Sequence, residues 1–289
     1  MFEQFKVQIE QKIDQMIEKI EGQSRLKDAC EYALKSKGKR LRPIFVLMIA
    51  DALGHGLNAM DGALSVEFFH TASLIADDLP CMDNDDERRD RPSLHRVFEE
   101  SVALLASYTL IAMGYEGIAK NCMEMKKDLR FADRAEKVAI LGLEIASRCG
   151  GMQGATYGQF LDLFPPDHQL ETILKIIDQK TVTLFQLSFA FGWLFGGGDI
   201  HQIKEVEKVA SHLGMAFQIG DDLQDLDQDQ KQQGEINIAE ILGKAKANSL
   251  FFSEIEQFIE GLKKLKLWNP NFEKAVHFLS KCCNQIATL

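Results

Sequence analysis

Two stretches of this chain gather carboxylates more densely than an ordinary solvated surface requires. In Glu67–Arg96 a helix-like apolar run ends in Asp77-Asp78. Pro80 interrupts it, Asp83, Asp85 and Asp86 follow, and Arg88-Arg89 close the group. Much later in the chain, Gln218, Asp221, Asp222 and Asp225 fall at i, i+3, i+4 and i+7, one face of a helix. Carboxylates one turn apart repel each other, so a metal ion or basic side chains must compensate them. With basic residues near both groups, the chemistry in view is divalent ions holding a polyphosphate. A solvated acidic face is the plain alternative. A calcium loop fits neither stretch. From Asp225 its glycine and glutamate positions hold Gln230 and Ile236, and from Asp83 they hold Arg88 and Leu94.

The cations come in three groups. Gly38-Lys39-Arg40-Leu41-Arg42-Pro43 is read as opening a helix with Lys39 and Arg42 one turn apart, Arg88-Arg89 follow the first acidic group, and Lys244 and Lys246 follow the second. Each alone reads as surface. Together, arginine forks and lysine point charges suit a diphosphate. There is no G-x-x-x-x-G-K-[ST] loop, which argues against a P-loop nucleotide site. The seven histidines lack metal-ligand spacing, His70 reads as a core residue by default, and no Ser–His–Asp or Cys–His set can be assembled.

Those groups need rigid elements to hold them. The chain has 289 residues, 46% of them hydrophobic and 26% charged, an ordinary globular composition. A net charge of -10 excludes the basic footprint of a nucleic-acid binder. Only six prolines occur, and three- and four-residue apolar spacing recurs in 2–21, 41–53, 58–79, 97–123, 132–148, 170–195, 201–228, 247–264 and 271–286. Breaks are expected at 54–56, 84–93, 164–167, 196–199, 230–235 and 269–271. Alternation of period two is hardly sustained, so the expectation is a single all-α domain, residues 1–289, of about ten or more helices. Six cysteines without a C-x-x-C pair point to a reducing compartment. The N-terminus lacks a signal-peptide pattern and no apolar run reaches the roughly 18 residues that span a bilayer. The expected setting is cytoplasmic, without stable membrane insertion.

In this order the pieces resemble the trans-isoprenyl diphosphate synthases (farnesyl and geranylgeranyl diphosphate synthases of the bacterial and plant type) over roughly residues 35–250. The signatures are Asp77-Asp78-x-x-x-x-Asp83 with Arg88-Arg89, Phe217-Gln218 before Asp221-Asp222-x-x-Asp225, Gly158-Gln159-x-x-Asp162-Leu163, Lys180-Thr181, and Gly38-Lys39-x-x-Arg42-Pro43 with His70. The resemblance implies the isoprenoid synthase fold, helices around a central cavity, and a homodimer. It implies that Asp77, Asp78, Asp83, Asp221 and, more loosely, Asp225 bind about three Mg²⁺ ions through their oxygens. Arg88, Lys180 and Lys244 would contact the allylic diphosphate. Lys39, Arg42, His70 and Arg89 would hold the diphosphate of isopentenyl diphosphate, and Thr181 and Gln218 would line the reacting centre with Lys180. Ala76, Asp90, Leu94 and Lys246-Ala247-Asn248 depart from the family pattern, and Gly154–Asp162 is slightly long, but no metal ligand is lost.

In that family the residues four, five and eight before the first Asp line the channel for the growing tail, here Ser73, Ala72 and Phe69. The first two are small. Phe69 lies roughly 5.4 Å deeper, one helical turn, making it the expected floor and geranylgeranyl diphosphate the expected product, with farnesyl diphosphate the alternative. A class I terpene cyclase shares the first motif but needs no isopentenyl site, against which the Asp221–Asp225 and Lys39/Arg42/Arg89 sets speak. A non-catalytic partner subunit of a prenyl synthase is the rival of another class, and such subunits tend to lose an Asp motif that this chain keeps.

Overall fold

The computed structural model describes residues 2–20, 22–227 and 237–284, in which fourteen α-helices are joined by short loops and two 3₁₀ turns. The all-α expectation is met. The helices gather into two compact units. One runs to Ile145 and takes in Phe191–Gly198; the other takes Ala146–Ala190 and the chain from Asp199 on.

The first unit is built from α1 (Phe2–Lys19), α2 (Arg25–Leu34), α3 (Leu41–Leu53), α4 (Met60–Asp77), α5 (Leu94–Phe98) and α6 (Glu100–Met125), and α7 (Ala135–Gly150) begins in it. α1 buries Ile9, Ile13 and Ile17, one stripe at four-residue spacing. α3 is buried on all sides from Pro43 to Ala50 and is therefore the unit's central helix. The segment Phe191–Gly198 rests directly on it. A Cβ at Gly192 would lie 2.7 Å from the Val46 carbonyl, and one at Gly196 2.7 Å from Ala50 Cα.

α4 and α6 make the closest helix pair and run antiparallel. The N–H of Gly62 donates to Asn121 Oδ1 at 2.8 Å near one end, and the Ser107 hydroxyl donates to the Ala72 carbonyl at 2.9 Å near the other. Small residues allow the approach: α6 turns Ala103, Ala106, Ser107, Gly114 and Gly117 inward. Its opposite face leaves Leu104, Leu105, Tyr108, Ile111 and Tyr115 exposed. By length and composition α6 is long and apolar enough to cross a membrane, unlike the sequence expectation. The run contains Ser, Thr, Tyr and Gly, which break an apolar count without lowering the average enough to disqualify it. Here one face of it is core against α4.

The second unit holds α8 (Ala155–Leu163), α9 (Leu170–Ile177), most of α10 (Thr183–Phe195), α11 (Ile203–Asp227), α12 (Ile238–Leu242), α13 (Lys244–Lys264) and α14 (Pro270–Asn284). α11 and α13 pack closely, with Gly261 opposite Val209 and His212 Nδ1 2.7 Å from Glu254 Oε2. α9 and α10 follow one another without a loop, as 170–195 predicts, but Asp178–Val182 between them winds as a π turn.

Several boundaries differ from the sequence expectation. Segment 97–123 is broken at Glu99, whose φ of 72° ends α5 and starts α6. The helix read as opening at 38–43 starts at Leu41, after Arg40 in the left-handed region, so Lys39 precedes it. The expected break at 269–271 lies earlier, because Pro270 takes the first helical position and Asn269 Oδ1 caps the N–H groups of Asn271 (2.9 Å) and Phe272 (3.3 Å). The expected break at 230–235 falls outside the described residues.

Asn121 is buried, and besides accepting from Gly62, in the first turn of α4, it donates Nδ2 to the Asn58 carbonyl at 3.1 Å. Truncation leaves an N-terminal helix donor and a loop carbonyl without that partner. Asn121→Ala should therefore lower unfolding free energy by about 1–3 kcal/mol, read by urea denaturation. Asn121→Asp, which keeps the acceptor, should recover part of it.

Candidate active site

In the first unit, the acidic loop begins where α4 ends. Asp77 is half-buried, Asp78 is buried and Asp83 is exposed. The N–H of Asp83 donates to the Asp77 carbonyl at 2.9 Å, so the loop folds back and ties Asp83 to the end of α4. Arg88 places Nε at 2.8 Å and Nη2 at 2.5 Å from Asp78 Oδ1, and Nη2 also reaches Asp85 Oδ2 at 2.8 Å. Burial raises the Asp78 carboxyl above its ordinary range even though Arg88 pulls it down. Burial opposes the charge of Arg88, but the hydrogen bond to Asp78 and the fields of Asp78 and Asp85 raise it overall. Asp86 is taken by Arg96, Nε to Oδ1 at 2.6 Å.

The loop closes in a small hairpin. Arg88 and Arg91 exchange backbone hydrogen bonds of 2.7 and 3.3 Å, with Arg89 and Asp90 between them at φ of 56° and 61°. Two successive positive φ values are the mark of a two-residue hairpin turn that glycine, asparagine and aspartate tolerate best. This gives a physical reason why a glycine would suit position 90, where this chain carries Asp. The turn aims Arg89 at Gly38, where a Cβ would lie 2.5 Å from Nη1. The glycine of Gly38-Lys39 is thus the space into which the guanidinium fits.

Around it the cations gather. Arg42 Nη1 lies 3.2 Å from His70 Nε2, and Arg89 Nη1 lies 3.4 Å from Ser36 Oγ. Burial, and then the charges of Arg42, Arg89, Arg40 and Arg88, hold His70 well below its ordinary pKa, so the ring is neutral at pH 7. Burial and the neighbouring Arg40 and Arg88 lower Arg89 from its usual value, with Glu67 opposing them. Lys39 is exposed beside this group.

Arg40, which the sequence reading passed over, is the frame for these residues. Its side chain is 1% exposed, pairs with Glu67 and Glu10, and donates to the carbonyls of Leu34 and Ser36. Its φ of 51° turns the chain from the end of α2 into α3. Removing one partner of a buried pair leaves the other uncompensated, at about 3–5 kcal/mol, whereas replacing both is far milder. Arg40→Met should therefore lower stability by about that amount, and Arg40→Met with Glu67→Leu should recover most of it in a chemical denaturation cycle.

In the second unit, the π turn carries Lys180 and Thr181. Two glycines clamp it: a Cβ at Gly158 of α8 would overlap the Lys180 backbone, and one at Gly214 of α11 would lie 2.9 Å from Val182 Cα. Widening the helix by one residue splits the pair. Lys180 Nζ turns to Asp162 Oδ2 at 2.5 Å, and the Thr181 hydroxyl donates to Gln218 Oε1 at 2.9 Å. Single-turn π insertions of this kind recur at functional sites. Gln218 Nε2 then donates to Asp222 Oδ1 at 2.7 Å, and Asp222 Oδ2 accepts the N–H of Ile238 at 2.7 Å.

The helical-face reading of the second acidic group is met in its placement on α11, but its members do different work. Asp222 is buried and anchors the start of α12, assisted by Asn237 Nδ2 on its carbonyl at 2.9 Å. Asp225 is exposed at its tip, although enough protein flanks it for burial to raise its carboxyl. Asp221 is half-buried. Lys244 and Lys246 are exposed in the first turn of α13, entered through Gly243 at a φ of 77°.

Among the described residues, no three His, Cys, Asp or Glu side chains converge on a ready-made metal cage. The donors nonetheless fit Mg²⁺, which takes oxygen ligands and is ordinarily held by one or two carboxylates plus the phosphates of its substrate rather than by a closed protein cage. Asp77 and Asp83, joined through their backbone, are such a pair.

Comparison with known proteins places this geometry. The polyprenyl synthetase family model matches residues 23–257. The chain is 38% identical over 223 residues to a farnesyl diphosphate synthase of Geobacillus stearothermophilus, covering 76% of this chain and 72% of that protein. It is 34% identical over 249 residues to geranylgeranyl pyrophosphate synthase 4 of Arabidopsis thaliana, covering 82% of this chain and 63% of that longer protein. Among solved structures, the apo FPP/GFPP synthase of Zymomonas mobilis superposes with a TM-score of 0.81 at 28% identity, over 97% of this chain and 98% of that one. With the matched region running from α2 into α13, through both acidic groups and the π turn, the chain belongs to the polyprenyl synthetase family, the trans-isoprenyl diphosphate synthases.

Proposed function

We propose that this prenyltransferase condenses isopentenyl diphosphate with an allylic diphosphate and stops at geranylgeranyl diphosphate, the whole chain acting as one synthase domain. The observation that carries the substrate class is Arg89. It is a half-buried guanidinium set beside Arg40, Arg88 and a neutral His70, with a hydroxyl as its hydrogen-bond partner. Collecting cations at partial burial is unfavourable unless an anion completes the group. A diphosphate oxygen set does so, and Arg forks bind it in two-point fashion.

In this reading Lys39, Arg42, His70 and Arg89 hold the diphosphate of isopentenyl diphosphate. The neutral His70 ring can share a hydrogen bond with Arg42 without adding charge. Arg88, Lys180 and Lys244 take the allylic diphosphate. Asp77, Asp78, Asp83, Asp221 and, more loosely, Asp225 hold Mg²⁺, which when bound stabilises the charge growing on the leaving pyrophosphate. Ionisation breaks the allylic C–O bond and leaves a carbocation and pyrophosphate. The isopentenyl double bond attacks the cation, and the released pyrophosphate takes the proton that the new cation loses.

Thr181 and Gln218 suit the cationic centre because their orientation is fixed. Asp222 can only accept, so the Gln218 amide must turn its NH₂ to it and its carbonyl to the Thr181 hydroxyl. With its proton committed to Gln218, Thr181 offers lone pairs to whatever stands before it, the right polarity for a carbocation.

Product length is read from α4. Ala72 is buried and Ser73 half-buried, both too small to stop a tail, and Phe69 stands one turn deeper. A second copy covering the exposed α6 stripe, in a cytoplasmic homodimer, completes the proposal. That stripe includes Leu105 at 51% and Tyr108 at 58% exposure, a large apolar load for a helix facing water.

The test is product analysis by mass spectrometry from isopentenyl diphosphate with dimethylallyl, geranyl or farnesyl diphosphate. Geranylgeranyl diphosphate should dominate, and chelating Mg²⁺ should abolish turnover. Release of a hydrocarbon from geranyl diphosphate alone would instead identify a cyclase, and no turnover at any Mg²⁺ concentration a partner subunit. Asp83→Ala and Asp221→Ala should each lower kcat by about 10²-fold or more, the scale of losing a transition-state charge contact, while melting within a few degrees of the parent.

A further inference from the structure

We infer that Gly114 and Tyr115 of α6 are specificity-determining residues that fix product length by holding the ring of Phe69. The inference rests on the reading that Phe69 closes the tail channel. It adds what keeps that ring in place.

The ring of Phe69 occupies the volume a side chain at position 114 would need. A Cβ there would lie 2.6 Å from Cε1, 2.7 Å from Cζ and 2.9 Å from Cδ1, all inside the closest approach that carbon atoms tolerate. Tyr115 stands at the edge of the same ring, with centroids 5.2 Å apart and planes at 69°, a favoured edge-to-face contact. Phe69 is therefore seated in a notch of α6, with glycine as the floor of the notch and Tyr115 as its side.

The notch cannot move away. α6 is pinned to α4 two helical turns on one side by Gly62 and Asn121, and on the other by Ser107 donating to the Ala72 carbonyl at 2.9 Å. Gly117 is equally close, since a Cβ there would lie 2.8 Å from the Asp61 carbonyl. With both helices fixed, a group added at position 114 has one cheap response open to it, which is rotation of the Phe69 ring out of the notch. On a helix few χ1 rotamers are open to an aromatic side chain, so the ring swings to the next one rather than drifting. In this inference the displaced ring enters the tail channel and narrows it below Ala72 and Ser73, the residues a growing tail passes first.

Phe69→Ala should lengthen the main product by about one isoprene unit, the reach of one helical turn. Gly114→Ala should shorten it toward farnesyl diphosphate. The double variant Phe69→Ala with Gly114→Ala should give the same product as Phe69→Ala alone, because position 114 acts only through the ring. Tyr115→Ala, which removes one side of the notch at a residue 38% exposed, should broaden the distribution toward longer products and keeps the question open to measurement if Gly114→Ala does not fold. Product ratios by mass spectrometry are the readout, with circular dichroism melts and light scattering verifying fold and oligomeric state.

If Phe69→Ala lengthens the product but neither Gly114→Ala nor Tyr115→Ala changes the ratio, the notch is structural and the inference is wrong. If Phe69→Ala itself changes nothing, the floor assignment fails, and the notch loses its role with it.

Discussion

The buried guanidinium of Arg40 is the interaction on which the first unit's site depends. It joins Glu10 of α1, Glu67 of α4 and the carbonyl end of α2 at the point where α3 begins. A cation that deep is tolerable only with its carboxylates beside it. Because the carboxylates come from two different helices, the pairing fixes those helices to the α3 entry. Lys39 and Arg42 flank Arg40 in sequence, so what anchors Arg40 also decides where they stand. The same group raises the local potential that Arg89 and His70 experience. Arg40 is compensated by Glu10 and Glu67 and is structural, whereas Arg89 beside it has the Ser36 hydroxyl as its hydrogen-bond partner.

The second unit solves a related problem with hydrogen bonds. Lys180 and Thr181 are adjacent, and in a regular helix adjacent residues point about 100° apart. The π turn changes that geometry locally, and it survives because Gly158 and Gly214 let flanking helices press on its backbone from two elements. From Thr181 the chain of donors runs through Gln218 to Asp222 and ends on the N–H of Ile238. Its direction is set at the far end by a carboxylate that cannot donate. A side chain well away from the threonine thereby determines which of its functions, proton or lone pair, is turned outward.

How much of this the sequence disclosed depended on whether a feature has a local cause. The helices with regular apolar spacing, such as α3 and α4, were legible almost to the residue. α2, α5, α8 and α12 were not, being ten residues or fewer and held by caps and neighbours, as Ser24 caps Lys27 N–H at 3.2 Å. That Asp77 and Asp78 close a helix and Asp83 follows it was legible from the apolar run that Pro80 interrupts. The separate role of Asp222 was not, because helical spacing puts it on the face of Asp221 and Asp225 while tertiary contact with Ile238 buries it. Arg40 was hidden because nothing about arginine announces a left-handed backbone, and its two carboxylate partners, Glu10 and Glu67, lie 30 and 27 residues away. The π turn was hidden for a like reason, since 170–195 reads as uninterrupted helix and the cause of its widening lies on α8 and α11.

α4 carries the start of the acidic loop and the residues proposed to set tail length on one helix. Its last residue is Asp77, and the loop after it returns so that Asp83 donates to the Asp77 carbonyl. The same rod carries Ser73, Ala72 and Phe69 at successively greater depth from that end. A rigid helix converts residue number into distance at about 1.5 Å per residue, so on the reading proposed above the spacing between Asp77 and Phe69 is a ruler that cannot stretch. Rigidity has to come from outside, because an isolated helix of this length frays. α6 supplies it through small residues and two polar ties along the shared face. The small residues that bring α6 close enough to stiffen the ruler are also the ones that make room for its stop. On the proposed reading, an alteration at Gly114 therefore reaches a tail-length decision on another helix while leaving the carboxylates at the end of α4 untouched.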